Sequence, residues 1–213
     1  MYQYNDDSLM LHNDLYQINM AESYWNDGIH ERIAVFDLYF RKMPFNSGYA
    51  VFNGLKRVVN FIENFGFTNE DITYLKSIGY KEDFLNYLKD LKFTGNIKSM
   101  QEGEICFGNE PLLRVEAPLI QAQLIETILL NIINFQTLIA TKASRIRQIA
   151  THDTLMEFGT RRAQEIDAAL WGARAAFIGG FDSTSNVRAG KLFNIPVSGT
   201  PVSYTHLTLP TKR

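Results

Sequence analysis

After residue 150 the sequence alternates short apolar runs with helical patterns, and this alternation restricts the fold more than any other feature. The pattern predicts strands at Thr154–Phe158, near Phe181 and at Ile195–Ser198, separated by helices at Gln164–Phe177 and from about Asn186 to Phe193. Successive strands joined by helices lie parallel, because a helical crossover returns the chain to the same end of the sheet. We therefore predict an α/β fold for this part of the chain.

The first 116 residues have a different pattern. Ala34–Phe40 is aromatic and β-branched and predicts a strand. Helical patterns follow over Asn53–Phe65, from Thr68 to Gly79 and around residues 84–91. From Phe93 to Glu116 apolar residues alternate with polar ones, which indicates short strands separated by turns. We expect this region to form a small mixed α+β domain.

Pro118 begins a long helical region that extends to about Ala150, and the sequence also permits two helices with a break near Asn131–Asn134. Its most hydrophobic stretch, Leu124–Ala140, is interrupted by four polar residues: Glu126, Asn131, Asn134 and Gln136. A membrane-spanning helix needs roughly 20 predominantly apolar residues. We therefore predict a buried helix and no membrane partner.

Charge and cysteine content exclude several classes of protein. The net charge of −2 argues against a nucleic-acid partner, because such proteins usually have a basic face. The single cysteine, Cys106, excludes an internal disulfide and a multi-cysteine metal site. His12, His30 and His152 lack metal-ligand spacing, so we predict no metal site built by the chain. Met1–Ser8 lacks the features of a secretion signal, and we expect a cytoplasmic protein.

Three polar clusters follow the three predicted parallel strands, where such folds bind ligands. They are Phe158–Arg162, Asp182–Asn186 and Ser198–Thr200. The second cluster precedes a helix, whose backbone N–H groups can bind an anion. Alternatively, Thr184 or Ser185 serves only as the helix N-cap. The two arginines of the first cluster suit a phosphate or a carboxylate, or form a solvated pair. Together the clusters predict a site for an anionic ligand.

Five segments, in order and spanning about residues 9 to 200, together resemble the nicotinate phosphoribosyltransferase family. The sequence departs from the usual family pattern at Asn13, Ala117 and Ser183, where Thr, Gly and Gly are common. None of these three positions has an assigned role. The matching segments read LHNDLYQINMAESYW, AVFDLYFRKMPFNSGYAVFNGL, NEPLLRVEAPLIQAQLIETILLNIINFQTLIATKASR, LMEFGTRRAQEIDAALWGARAAFIGGFDSTSNVRAGK and IPVSGT.

The resemblance implies an α/β protein of the type II phosphoribosyltransferase fold. Residues 1–135 are then an N-terminal α+β domain with the long helical region, and residues 136–200 are the first part of an irregular α/β barrel that is truncated. We expect residues 201–213 to be a non-native tail, because Val202–Thr211 is similar to a translated sequencing adapter. His206 lies in this tail and is given no function.

The resemblance also implies the reaction and the residues that serve it. Nicotinate and phosphoribosyl pyrophosphate would give nicotinate mononucleotide and pyrophosphate, with ATP hydrolysis and Mg²⁺, in NAD biosynthesis by a homodimer. Tyr16 and Phe158 would hold the pyridine ring between them, with Tyr16 reaching in from the other subunit. The implied nicotinate-binding residues are Asp14, Tyr16, Phe158, Ser185 and Thr200, and the implied phosphate-binding residues are Arg41 and Arg161.

The family motif Gly-Thr-x-Ala-His-Ser contains a histidine that ATP phosphorylates, and in this sequence the motif stops at Thr200. We therefore expect no catalytic residue in the chain, and an inactive fragment of an ATP-dependent enzyme. Two alternatives stay open. The related nicotinamide phosphoribosyltransferases have an aspartate where this chain has Ser185, and the neutral serine favours nicotinate. The other alternative is a truncated product without catalysis.

Overall fold

The computed structural model describes residues 9–199, and its contacts separate a unit that ends at Phe135, unit 1, from a unit that begins at Gln136, unit 2. Helix α5 crosses this division. The elements of unit 1 are α1 (Leu15–Asn26), β1 (Ile33–Leu38), β2 (Ala50–Val51), α2 (Leu55–Glu63), α3 (Asn69–Ser77), α4 (Glu82–Asp90), β3 (Asn96–Ser99), β4 (Ile105–Cys106) and β5 (Leu113–Pro118), followed by α5 (Leu119–Ile149).

The strands of unit 1 form two antiparallel sheets. The larger has the order β1-β5-β3, with Phe36 opposite Val115 and Ile97 on the other side of Val115. The smaller pairs β2 with β4. In β5 the alternate residues Leu113 and Val115 are buried, as a strand with one face on the core requires. The predicted mixed α+β character of this region is confirmed.

Helix α3 begins where the sequence predicts it. The Thr68 hydroxyl oxygen accepts a hydrogen bond from the Asp71 N–H at 3.1 Å, and the Asp71 carboxylate accepts one from the Thr68 N–H at 2.8 Å. This reciprocal capping box satisfies two N–H groups that have no partner within the helix. Gly79, one residue beyond the C-cap, has φ of 108°, a conformation that glycine adopts without strain.

The core of unit 1 forms where α5 and the smaller helices cover the sheets. Its side chains come from nearly every element, including α3, α4 and the first half of α5. The largest fully buried side chains are Met10, Phe52, Leu75, Phe84, Leu88, Leu112, Leu113, Ile120, Leu124, Ile125, Ile128 and Ile133.

Helix α5 is one continuous helix of 31 residues, so the suggested break near Asn131–Asn134 is wrong. Both asparagines are exposed, while Ile132 and Ile133 between them are buried. Asparagine on the solvent side of a helix costs only a few tenths of a kcal/mol, and burial of the apolar side outweighs that cost. By length and composition the helix could cross a membrane, but the core helices of many proteins meet the same criterion. Of its most apolar 18-residue stretch, 56% is buried within the protein.

Unit 2 contains β6 (Met156–Glu157), α6 (Glu165–Ile178), β7 (Ser183–Thr184) and α7 (Val187–Phe193). Strands β6 and β7 are parallel, and Thr184 makes a further parallel bridge to Val197. The predicted parallel strands with helical crossovers are therefore confirmed. The middle strand lies two residues beyond the predicted position, and the predicted strand at Ile195–Ser198 is reduced to the single bridge at Val197. Leu170, Ala173 and Ala189 form the core between α6 and α7.

Candidate functional site

Phe158 and Ser185 directly follow two neighbouring parallel strands, β6 and β7. The Ser185 N–H donates a hydrogen bond to the carbonyl oxygen of Glu157 at 2.9 Å, so the two strand ends are joined backbone to backbone. The Ser185 side chain is half-buried, and the Phe158 ring is 40% exposed. Two of the predicted nicotinate-binding residues are thus close together, at the edge of the sheet where ligands of parallel α/β folds bind.

The suggestion that Thr184 or Ser185 is the N-cap of α7 is wrong. Asn186 is the N-cap, and its side-chain oxygen accepts a hydrogen bond from the Ala189 N–H at 3.0 Å. The backbone N–H groups of Ser185 and Asn186 are already bonded within the protein, to the Glu157 carbonyl and the Thr184 hydroxyl. The group that Ser185 offers to a ligand is therefore its hydroxyl, which makes no hydrogen bond to another described residue.

The predicted phosphate-binding Arg161 lies in a short 3₁₀ turn, Thr160–Arg162, that follows Phe158 and Gly159. The Gly159 carbonyl accepts hydrogen bonds from the Arg162 N–H at 2.8 Å and the Ala163 N–H at 2.9 Å. Both arginine side chains are exposed and form no ion pair with residues 9–199. Two unpaired guanidinium groups therefore lie within four residues of the Phe158 ring, as a site for an anion requires.

Glu157 is a residue of this site that the sequence analysis missed. Its carboxylate accepts hydrogen bonds from the Thr184 hydroxyl at 2.7 Å and from the Gly159 N–H. A Cβ atom at Gly159 would lie 2.7 Å from the nearer carboxylate oxygen, so a side chain there would displace the Glu157 carboxylate from this position. The available signal was a charged residue at the end of an otherwise apolar strand, but its partner Thr184 is 27 residues away.

Asp14 and Tyr16 lie together at the start of α1, on unit 1. Both line a cavity of about 450 Å³, together with side chains of the segment after β1 and of α5. Asp14 occupies the N-cap position of α1 without a side-chain cap bond, and it is exposed. The Tyr16 side chain is 52% exposed, so its ring is available to a ligand.

A buried polar network lies beside Tyr16. Gln17 is 1% exposed, and its side-chain nitrogen donates to the Tyr16 hydroxyl at 3.3 Å and to the Glu126 carboxylate at 3.0 Å. Its side-chain oxygen accepts a hydrogen bond from the Thr127 hydroxyl at 2.7 Å. Asn13 anchors the preceding turn by donating to the Leu124 carbonyl at 2.8 Å. These contacts hold the start of α1 on α5.

Arg41 is exposed and lies beyond β1, before a 3₁₀ turn at Pro44–Asn46. It does not line the 450 Å³ cavity, although its neighbour Phe40 does. Arg41, Asp14 and Tyr16 belong to unit 1, whereas Phe158, Arg161 and Ser185 belong to unit 2. Thr200 and the predicted tail lie outside the described residues. The roles assigned to all these residues stay predictions.

The part of the chain that the structure describes contains no group of three histidine, cysteine, aspartate or glutamate side chains that could hold a metal ion. Burial raises the pKa of the Cys106 thiol to about 11, with a smaller contribution from the charge of Glu110. A thiol with so high a pKa is protonated at neutral pH and a poor nucleophile or ligand.

Comparison with known proteins identifies relatives along nearly the whole chain. The model of the nicotinate phosphoribosyltransferase (NAPRTase) N-terminal domain matches residues 11–134, more than half of the sequence. The nicotinate phosphoribosyltransferase of Bacillus subtilis is 64% identical over 200 residues, which are 93% of this chain and 41% of that protein. The Caenorhabditis elegans nicotinate phosphoribosyltransferase is 44% identical over 88% of this chain and 34% of its own length.

Solved structures agree with these matches. The crystal structure of human nicotinic acid phosphoribosyltransferase superposes with a TM-score of 0.83 and 39% identity, over 88% of this chain and 39% of that chain. A nicotinate-nucleotide pyrophosphorylase from Pyrococcus furiosus has the same fold, with a TM-score of 0.77 and 22% identity over 98% of this chain and 46% of its own. The predicted α/β fold class of type II phosphoribosyltransferases is thus confirmed. The chain spans about two fifths of the Bacillus relative, and it belongs to the nicotinate phosphoribosyltransferase family.

Proposed function

We propose that the protein to which these residues belong is a nicotinate phosphoribosyltransferase of NAD biosynthesis. It converts nicotinate and phosphoribosyl pyrophosphate into nicotinate mononucleotide and pyrophosphate with ATP hydrolysis, as a cytoplasmic homodimer. The observation that carries the proposal is the 64% identity to the Bacillus subtilis enzyme over 93% of this chain. The adjacent Phe158 and Ser185 at two strand ends support the choice of an aromatic anion as ligand.

The pyridine ring of nicotinate would stack on the exposed face of Phe158, with Tyr16 of the other subunit on its other face. Flat aromatic side chains hold a flat ring by its faces. The ring nitrogen then stays free to attack C1 of the ribose, and the fixed ring position replaces a random encounter of the two substrates. Asp14 lies beside Tyr16 in the same cavity and would orient that ring or the substrate.

The Ser185 hydroxyl would donate a hydrogen bond to the carboxylate of nicotinate. A neutral hydroxyl can donate a hydrogen bond to the negatively charged carboxylate of nicotinate, whereas an aspartate at the same place would repel that carboxylate. The absence of a competing hydrogen bond to the Ser185 hydroxyl among residues 9–199 supports this role. The same argument disfavours nicotinamide, whose neutral amide gains from an acidic neighbour.

Arg161 would bind the phosphates of phosphoribosyl pyrophosphate, with Arg41 contributing from unit 1 of the other subunit. Negative charge grows on the pyrophosphate as it leaves, so fixed cations stabilise the transition state more than the ground state. The lack of ion pairs between Arg161 and residues 9–199 supports this role, because a guanidinium already paired with a carboxylate would have less charge to offer.

Mg²⁺ and ATP are further parts of the proposal. Mg²⁺ is commonly held by one or two carboxylates together with substrate phosphates, whose charge it offsets. Residues 9–199 contain no group of three histidine, cysteine, aspartate or glutamate side chains that could hold a metal ion. The contribution that we propose for this segment is phosphate binding by the arginines.

A chimeric enzyme tests the proposal. Residues 9–199 of this chain would replace the matching segment of the Bacillus subtilis relative. Formation of nicotinate mononucleotide from nicotinate and of nicotinamide mononucleotide from nicotinamide would then be measured. We expect turnover of nicotinate and, in the Ser185→Asp variant, a loss of about tenfold or more in kcat/KM for nicotinate, since two like charges in contact repel by about 1.4 kcal/mol or more.

Two controls accompany the chimera. Thr151→Asp adds the same charge at an exposed bend of unit 2 and should leave kcat/KM unchanged. Ser185→Ala removes the donor without adding charge and should cause a smaller loss than Ser185→Asp. A chimera that folds but turns over nicotinamide in preference to nicotinate would refute the proposed substrate.

A further inference from the structure

Hydrogen bonds hold the two residues that flank Phe158, Glu157 and Gly159. On the N-terminal side, the Glu157 carbonyl accepts a hydrogen bond from the Ser185 N–H at 2.9 Å. On the C-terminal side, the Gly159 N–H donates to the Glu157 carboxylate. The backbone of Phe158 is therefore held between two bonds, one of which depends on the Glu157 side chain.

Ser185 is held in a similar way. The preceding residue, Thr184, donates its N–H to the Pro196 carbonyl at 3.0 Å, and its carbonyl accepts a hydrogen bond from the Ser198 N–H at 3.0 Å. The following residue, Asn186, donates its N–H to the Thr184 hydroxyl at 3.0 Å. The backbone of Ser185 is thus fixed partly by the Thr184 side chain.

The two side chains that hold these backbones are bonded to each other. The Thr184 hydroxyl accepts the Asn186 N–H and donates its own proton to the Glu157 carboxylate at 2.7 Å. Thr184 is 0% exposed, so water does not reach its hydroxyl to replace these partners. In a buried environment such bonds polarise one another and strengthen the chain of contacts. A continuous path of hydrogen bonds therefore runs from Asn186 through Thr184 and Glu157 to Gly159.

We propose that Glu157 and Thr184 are positioning residues that set the spacing between the Phe158 ring and the Ser185 hydroxyl. This inference rests on the proposed function, because the ligand that needs both groups is an aromatic carboxylate. Each oxygen of the Glu157 carboxylate accepts a hydrogen bond from the protein, and the role assigned to Glu157 is to act through these neighbours. Loss of the network would let the two recognition groups move independently and would weaken binding of the aromatic acid specifically.

Thr184 allows a matched pair of variants in the chimeric enzyme. Thr184→Val has nearly the same shape but no hydroxyl, whereas Thr184→Ser keeps the hydroxyl. We expect Thr184→Val to raise KM for nicotinate about tenfold, the effect of losing one or two buried hydrogen bonds. KM for phosphoribosyl pyrophosphate should change less than about twofold, and Thr184→Ser should restore nicotinate KM. Glu157→Gln keeps an acceptor for Gly159 and should give an intermediate effect.

A second measurement, amide hydrogen exchange of the 213-residue chain, does not depend on activity. Thr184→Val should accelerate exchange at the N–H groups of Gly159 and Asn186 about tenfold, and Thr184→Ser should not. The Leu85 N–H of α4, bonded to the carbonyl of the N-cap residue Lys81, serves as an internal reference. Glu157→Gln should accelerate exchange of the Gly159 N–H less than Thr184→Val does, since the amide oxygen of the glutamine still accepts a hydrogen bond.

The outcomes separate the inference from the proposed function. A chimera that folds but is inactive on nicotinate would refute the proposed function. In that case unchanged exchange at the Gly159 N–H in Thr184→Val would still overturn the inferred network. An active chimera in which Thr184→Val leaves nicotinate KM unchanged would overturn the inference alone. Equal losses toward both substrates would also overturn it, because a merely structural role affects both.

Discussion

Arg147, in the last turn of α5, donates a hydrogen bond from its guanidinium to the carboxylate of Asp182, the residue just before β7. Asp182 also accepts a hydrogen bond from the Leu155 N–H, just before β6, at 2.7 Å. The same guanidinium donates to three carbonyls, those of Gly180 at 2.7 Å, Ala150 at 2.9 Å and Asp153 at 2.8 Å. One arginine thus joins the segments that enter both strands, at the end opposite to Phe158 and Ser185.

Replacement of Arg147 should destabilise unit 2. Arg147→Met keeps much of the aliphatic length but leaves three carbonyls and a carboxylate without their donor. We expect a loss of about 2 kcal/mol in the free energy of unfolding, the size usual for hydrogen bonds to a charged group. Denaturant unfolding followed by Trp171 fluorescence, in a Trp25→Phe background, reports on unit 2 because Trp171 is buried there. Lys142→Met, an exposed cation on the same helix, should have little effect.

The Asp182 contacts predict a specific loss of stability in acid. Hydrogen bonds from the Leu155 N–H and from Arg147 hold the pKa of Asp182 below its usual value of 3.8. A carboxyl group with a lowered pKa stabilises the folded state above the pKa of the unfolded chain, and this contribution is lost as the pH falls through the folded pKa. The difference in unfolding free energy between the chain and Asp182→Asn should therefore be constant from about pH 7 to 5 and shrink below about pH 3.8. A difference that persists unchanged to about pH 2 would contradict this.

Gly179 should not tolerate a side chain. A Cβ atom there would lie 2.4 Å from the Ala140 carbonyl oxygen and 2.7 Å from the Ala143 Cβ, so the end of α6 would have to move away from α5. We expect Gly179→Ala to cost about 1–3 kcal/mol, as overpacking of a close contact does. Gly199→Ala is the matched control, because a Cβ at Gly199 meets nothing within 4 Å. Equal thermal stability of the two variants would show that the helices adjust freely.

The thiol of Cys106 should report on opening of unit 1. It is 0% exposed, its pKa is raised to about 11, and it is the single cysteine in the chain. We expect a thiol-specific disulfide reagent at pH 8 to react only after unfolding. Leu88→Ala, which removes a fully buried side chain of α4 and costs about 2–5 kcal/mol, should accelerate labelling of the native protein. Leu15→Ala, at a 60% exposed position, should not accelerate labelling. Fast labelling of the unaltered chain would contradict burial of the thiol.

Features that depend on residues near one another in sequence could be predicted from the sequence. The capping box of Thr68 and Asp71 spans three residues, and the period of apolar residues identified α2, α4 and α6 to within a few residues. The parallel order of β6 and β7 followed from the helix between them. These features could be predicted because helix caps, periodicity and crossovers depend on short-range sterics and hydrogen bonds.

Some local patterns were nevertheless ambiguous. Helix α5 continues through Asn131 and Asn134 because burial on its other side outweighs their weak helix propensity. Asn186 caps α7 with its side-chain oxygen, while the Thr184 hydroxyl is bonded to Glu157 and to the Asn186 N–H. In both cases the local alternatives differ by about 1 kcal/mol or less, so the local pattern alone could not choose between them.

By itself the sequence determined the family, the order of the elements and the position of Phe158 and Ser185 at strand ends. Only the tertiary structure decided how those residues are held. Glu157 meets Thr184 across 27 residues, Arg147 meets Asp182 across 35, and Gln17 meets Glu126 across 109. No periodicity encodes such pairs, because a polar side chain finds its partner only when packing of the apolar core has brought the two segments together.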